Sequence, residues 1–375
     1  MCNKMIKVTC QVYTWISDLV EKSLFEAGIV NYHIQSGRNV VIREKHYLGG
    51  LITKTKYEND PADIFRFFIP FEYESAIMNH LIKKCEFHHP GRGTVFTEEV
   101  TLYNSELLHF DFDKLNSLEL SDDLANSGFT GISCIIQRGL AGIIIKSVLD
   151  MGFCVPTVTY GEGGGFREKL GLIRVAIPSE KEVVILTVSK IDAMEVMGIL
   201  VDIARLDQPG KGFIYMFPIR KAFINTRLFR GTLKQVASTE QIIQAIDEIK
   251  GNNEWRRKFS ESELTKRSGR RKYLKKMINI TVFTNEGYIG NIINQAMNDG
   301  AGGATVYTLD YKSFDSDYKF VLPAREMSDL VINDNQKDGI LQSLINSGTL
   351  TTGASGIIET SQVPLVCTYF ANHKR

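Results

Sequence analysis

Residues 6–13 alternate apolar and polar positions, with Ile6, Val8, Cys10 and Val12 on one side, which predicts a strand with one buried face. The period then lengthens. Leu19, Val20, Leu24 and Phe25 recur at helical spacing over residues 18–27, and Gly28 supplies the stop. A second strand is predicted at 30–42, a polar loop at 43–63, a strongly apolar strand at 65–71, a helix at 72–85 and a closing strand at 93–102. The same succession returns twice. It reads as strand 131–137, helix 140–151 ending at Gly152, strand 155–160, loop 161–181, strand 183–188, helix 193–205 and strand 213–217. It returns again as strand 278–283, helix 289–298 ending at Gly300, strand 304–309, loop 310–325, strand 329–333, helix 338–346 and strand 356–359. Such recurrence signals a repeat architecture.

Each copy reads βαββαβ, the split βαβ arrangement of ferredoxin-like folds, so the expected class is α+β. A unit of this kind packs two helices on one face of a four-stranded sheet and leaves the other face bare. Three such sheets can cover one another, which predicts an intrachain pseudotrimer, a monomeric chain with candidate sites in the clefts between copies. The expected domains are 1–104, 129–219 and a divergent 277–375, joined by linkers 105–128 and 220–276. The longer linker contains an amphipathic stretch at 240–250. It also holds ten Lys or Arg within 256–276, against only Glu261 and Glu263.

Composition narrows the function classes. Hydrophobic residues make up 43% and charged residues 23%, ordinary for a globular chain, and the net charge is +1, so the whole molecule is not built as a polyanion binder. No apolar run approaches the roughly 18 residues of a membrane span, and the N-terminus lacks a secretion signal, so the expected location is cytoplasmic. The six cysteines are scattered without a CxxC pair and read as structural thiols. The seven histidines show no zinc spacing, no GxSxG elbow occurs, and no cluster offers a nucleophile with a base. Neither an enzyme nor a metal site is expected. Nucleic acid could contact 256–276, where Trp255, Phe259 and Tyr273 are interleaved, but a solvated linker accounts for that run more simply.

Two local patterns suggest anion chemistry. Tyr160-Gly-Glu-Gly-Gly-Gly165 follows a strand, and its glycines let backbone N–H groups approach an anion closely. Gly-cation-Gly turns stand before the last strand of the first two copies, as Pro90-Gly-Arg-Gly93 and Pro209-Gly-Lys-Gly212. The third copy has Gly353-Ala-Ser-Gly356 and lacks the cation. Arg138-Gly139, at the start of a helix, could add helix N-terminal amides.

Residues 131–219 carry a family resemblance. The stretch TYGEGGGFREKLGLIRVAIPSEKEVVILTV, the helix AMEVMGILVDIARLDQ and then PGKGFIYMFPI resemble the PII nitrogen-regulatory signalling proteins. The resemblance implies adenine nucleotides (ATP, ADP or AMP) or a related anion between units, and long loops that regulate a partner protein. It implies that Gly161 and Gly163 lie at a loop stem and that Gly210, Lys211 and Gly212 contact phosphates. Gly91, Arg92 and Gly93 would do so in the neighbouring cleft. The chain departs from the family in having no tyrosine between Gly161 and Lys181, which removes the site of tyrosine modification. PGKG replaces the familiar GDGK turn, and Arg220, Lys221 and Arg227 are loose stand-ins for the arginines that follow it. The alternative is a ligand-free interaction scaffold of the same fold.

Overall fold

The computed structural model describes residues 2–47, 52–89, 91–119, 122–165, 180–224, 229–230, 273–314 and 321–369. The first third runs β1 (Cys2–Tyr13), α1 (Ser17–Glu26), β2 (Asn31–Tyr47), β3 (Ile52–Ile69), α2 (Glu74–Lys84) and β4 (Gly93–Tyr103). A short helix α3 (Phe112–Asn116) sits in the connection. The middle third runs β5 (Phe129–Gln137), α4 (Ala141–Asp150), β6 (Thr157–Gly165), β7 (Glu180–Ser189), α5 (Ala193–Ala204) and β8 (Gly212–Pro218). Two-residue strands β9 (Ala222–Phe223) and β10 (Phe229–Arg230) follow. The last third comprises β11 (Met277–Asn285), α6 (Ile289–Asn298), β12 (Gly303–Ser313), β13 (Ala324–Asn333), α7 (Lys337–Asn346), β14 (Ile357–Val363) and β15 (Leu365–Thr368).

The periodic segments fold as their spacing predicts, and Gly28, Gly152 and Gly300 take positive φ just past their helices. The predicted loops are shorter than expected. Residues 43–63 are not a loop: β2 and β3 form one long hairpin, with the ladder running from His33↔Arg66 to Tyr47↔Ile52. Ile52, Thr53 and Thr55 supply β-branched residues within that segment, and a polar composition does not by itself exclude a strand. Likewise β6 continues through the glycines to Gly165, and β12 continues to Ser313. The helix expected at 240–250 and the basic run up to Arg271 and Lys272 lie outside the described residues.

The largest correction concerns the fold class. Three ferredoxin-like βαββαβ units packed as a pseudotrimer would keep three separate sheets, and the strands instead join into one. β4 pairs with β14, β12 pairs with both β6 and β2, and β2 also pairs with β6. Nine strands thereby close into an antiparallel barrel in the order β2-β3-β1-β4-β14-β11-β13-β12-β6 and back to β2, with further strands beyond β6. The physical reason is the edge. An unpaired strand edge exposes a row of N–H and C=O groups, and closure removes that liability. Period-2 patterning reports which face of a strand is buried but not which strand lies beside it.

Apolar side chains divide accordingly. Three clusters lie under the helices of each third, around Val20 and Leu81, Ile144 and Leu200, and Ile292 and Leu344. A fourth cluster, drawn from all three thirds, fills the interior with residues such as Phe68, Phe96, Phe217, Phe283 and Met327. Among the described residues, no helix is long and apolar enough to cross a membrane.

The interior also holds a layer of charge. Lys7 Nζ lies 2.6 Å from Glu359 Oε1 and 3.2 Å from Glu98 Oε1. Thr281 Oγ1 donates to Asp329 Oδ1 at 2.7 Å. Burial alone would lower the Lys7 pKa, but the Glu359 and Glu98 carboxylates outweigh it and keep the ammonium charged. Burial pushes the Glu359 carboxyl up to about 7 despite the pull of Lys7.

Candidate ligand cleft

Where β2, β6, β7, β12 and β13 meet, a cleft of about 580 Å³ opens, lined by residues of all three thirds. One side is formed by Gln35 and Ser36, another by Arg138, Tyr160, Gly161, Glu162, Glu180 and Lys181, and the far side by Thr308, Asp310 and Glu326. The strands set this geometry. β6 and β12 run antiparallel with Thr305 opposite Gly163 and Val306 opposite Glu162. A Cβ on Gly161 would lie 2.9 Å from the Val306 carbonyl oxygen, so the glycine lets the two strands approach.

Gly161 therefore lines the cleft and Gly163 sits two residues on, both inside β6, where Gly161↔Lys181 and Glu162↔Glu180 are the last pairs of the β6–β7 ladder. Gly210, Lys211 and Gly212 lie outside the cleft lining, at the turn into β8. There Gln137 Nε2 donates to the Gly210 carbonyl at 3.1 Å, and Gly212 opposes Ile136 in the ladder. Gln137 opposes Lys181, and Lys181 opposes Gly161, so the two glycine motifs share one row of the sheet. Three strand spacings separate them, about 14 Å.

Gly91, Arg92 and Gly93 stand elsewhere, at the β1–β4 end. Arg92 Nη2 is 2.6 Å from Glu86 Oε2, and its guanidinium stacks on the Trp15 ring at 4.8 Å. The cation expected to face phosphate is thus held within its own third. Gly93 and Gly212 have a packing explanation. Their φ values are +147° and +128°, and a Cβ would lie 2.3 Å from the Gln11 carbonyl oxygen or 2.0 Å from that of Ile135. Each admits the last strand of its third against the first.

Other expected anion donors are already engaged. The amides of Gly139 and Ala141, at the start of α4, donate to Glu182 Oε2 at 2.8 and 2.9 Å. Glu326 does the same for Gly287 and Ile289, at 2.9 and 3.3 Å. In the first third Asp63 accepts from Ser17 Oγ at 2.5 Å. A carboxylate at a helix N-terminus satisfies the free amides and complements the dipole. Asp63, Glu182 and Glu326 form no short motif, but each lies eleven positions before Glu74, Ala193 or Lys337, the first residues of the following helices. Aligning the thirds on those helices exposes the register.

Arg38 pairs with Glu182 at 3.0 Å and lies 5.9 Å from the centre of the Tyr160 ring. Arg138 pairs with Glu180 at 2.9 Å and is exposed at the cleft mouth. Arg220 forks onto Glu74 with contacts of 3.0 and 3.1 Å, and Lys221 lies 2.6 Å from Asp123, so both tie the end of the middle third to the first. Arg227 lies outside the described residues. Lys211, Glu162 and Asp310 make no ion pair among the described residues. The same residues hold no group of three or more His, Cys, Asp or Glu suited to a metal ion.

No protein-family model matches the sequence, and no curated protein matches it. Among solved structures, the B. subtilis GlnK–ATP complex, a PII protein, is similar at 12% identity. It covers 28% of this chain and 93% of that one, with a TM-score of 0.23. Aspartate kinase from Synechocystis is similar at 8% identity over 98% of this chain and 52% of that one, with a TM-score of 0.20. Physcomitrella patens BBE-like 1 is similar at 12% identity over 88% and 55%, with a TM-score of 0.19. The chain spans about half the length of these last two. At such TM-scores none of the three assigns a fold.

Proposed function

We propose that the chain is a non-catalytic, PII-like regulatory protein that binds an adenine nucleotide or a related anion in the cleft beside Gly161. In this reading it passes the bound state to a partner protein through the segments that leave the cleft rim. The observation that supports the reading is the cleft itself: about 580 Å³ lined from three parts of the chain, in the range of small-ligand sites. The Tyr160 ring is 48% exposed at its wall and offers a base-stacking surface. Arg138 at the mouth would exchange Glu180 for phosphate, a charge-assisted contact. β6 and β7, which carry the cleft-lining Tyr160, Gly161, Glu162, Glu180 and Lys181, are joined in sequence by residues 166–179. A ligand that prefers one arrangement of that segment by about 1–3 kcal/mol would carry a signal.

Isothermal titration with ATP, ADP and AMP tests this. Saturable heat is expected with at least one nucleotide, and Arg138→Ala should weaken it roughly tenfold, the loss of one charge-assisted bond. An absence of heat at millimolar concentration would overturn the nucleotide reading. A ligand-free interaction scaffold would then stand, a reading favoured by the pairing of Arg38, Arg92, Arg138 and Arg220 within the chain.

A further inference from the structure

Inside the sheet lies a second cavity, of about 70 Å³, remote in chemistry from the cleft. Five charged side chains line it: Lys7 and Arg66 against Glu98, Asp329 and Glu359. Besides the Thr159 hydroxyl, two oxygens in this lining have no hydrogen-bond donor, Glu359 Oε2 and Asn279 Oδ1, and their residues are 0% and 6% exposed. They occupy diagonal positions of adjacent strands, since Thr281 opposes Glu359 and Asn279 opposes Ser361. Side chains at such positions can converge on one point. Gln11 Nε2 and Arg66 Nη1 are unpaired donors in the same lining.

Charge decides what belongs there. With all five groups ionised, the cavity carries one excess negative charge. Water could satisfy the orphan atoms but would leave that charge uncompensated in the interior, which is costly. A single positive charge removes it. A divalent ion would overshoot, and the oxygen-only donors suit a hard cation over a transition metal. We propose that this interior layer is a binding site for a hydrated monovalent cation, Na⁺ or K⁺, held by Glu359 Oε2 and Asn279 Oδ1. The ion's water ligands would reach Arg66 and Gln11. The titratable groups that line the cavity with Glu359 are Lys7 on β1, Arg66 on β3, Glu98 on β4, Tyr215 on β8, Tyr307 on β12 and Asp329 on β13.

The test uses the full chain and thermal unfolding in NaCl or KCl against choline chloride at equal ionic strength. A site of roughly 10 mM affinity in about 200 mM salt raises Tm by about 2 °C for a chain of this size. The rise is expected at a fixed pH near 8. Glu359→Gln, which keeps the shape and removes the charge, should abolish the ion dependence. Sodium-23 NMR of the unmutated chain reads the same site without a variant, as broadening of the sodium line. Equal Tm in choline, no broadening near pH 8, or ion dependence surviving in the Glu359→Gln protein would overturn the site.

Discussion

Glu359 shows how a single residue couples the interior to the solvent. Its carboxyl is fully buried beside Lys7, and burial raises it from the ordinary range to about 7. A raised folded-state pKa means that the folded chain holds the proton more tightly than the unfolded chain. The stability linked to this group is therefore complete below the unfolded value of about 4.5 and is lost as pH climbs through about 7. The shift corresponds to about 3 kcal/mol between those limits. In choline buffer, urea unfolding should show ΔG falling by an amount of that order from pH 5 to pH 8. Glu359→Gln should flatten the profile across the same window. A profile unchanged by the substitution would assign the slope to other groups. Glu98, also raised by burial, is the next one to test.

At the level of strands and helices, much of the chain was legible because burial periodicity and turn chemistry are local. Residues 289–298 were placed to the residue as α6, and α1, α2, α4, α5 and α7 to within two residues at each end. The hairpin of β2 and β3 was not legible, because the polar residues within 43–63 resemble a loop in composition. The candidate site was legible only in part. Gly161 lines the cleft, whereas Arg92 is taken up by Glu86 and Trp15, and the amides of α4 by Glu182. Those partners lie far apart in sequence or outside any short motif, so spacing alone could not find them. The Gly-cation-Gly turns repeat because the last strand must approach the first, and that gives a prediction of its own. Gly212→Ala combines positive φ with a Cβ about 2.0 Å from backbone oxygen, and should cost about 2–4 kcal/mol. Lys211→Ala, in the same turn, should cost less than about 0.5 kcal/mol. Chemical denaturation of the two variants separates a packing role from a charge role. Equal losses would mean that the lysine matters to the turn.

For the whole molecule, closure of the barrel makes the three thirds depend on one another. The seam between β4 and β14 consists of Ile358↔Tyr103, Glu359↔Leu102 and Thr360↔Thr101, and Lys7 reaches across it to Glu359. The other junctions are equally direct, four ladder pairs between β12 and β6 and four between β12 and β2. Removing the last third would leave β4 and the ends of β2 and β6 as bare edges and would open the interior cluster to water. It would also strand Lys7 beside Glu98 without Glu359. Unfolding of the full chain should therefore be one transition, with far-UV dichroism and hydrogen exchange in β1, β6 and β11 moving together. A chain truncated after residue 276 should be aggregation-prone and not a smaller folded protein. Three separable transitions, or a stable soluble truncation, would show instead that each third carries its own stability. The cross-chain ladders would then be secondary contacts, and the interior charge layer could not act as the joint that the Lys7–Glu359 pair makes of it.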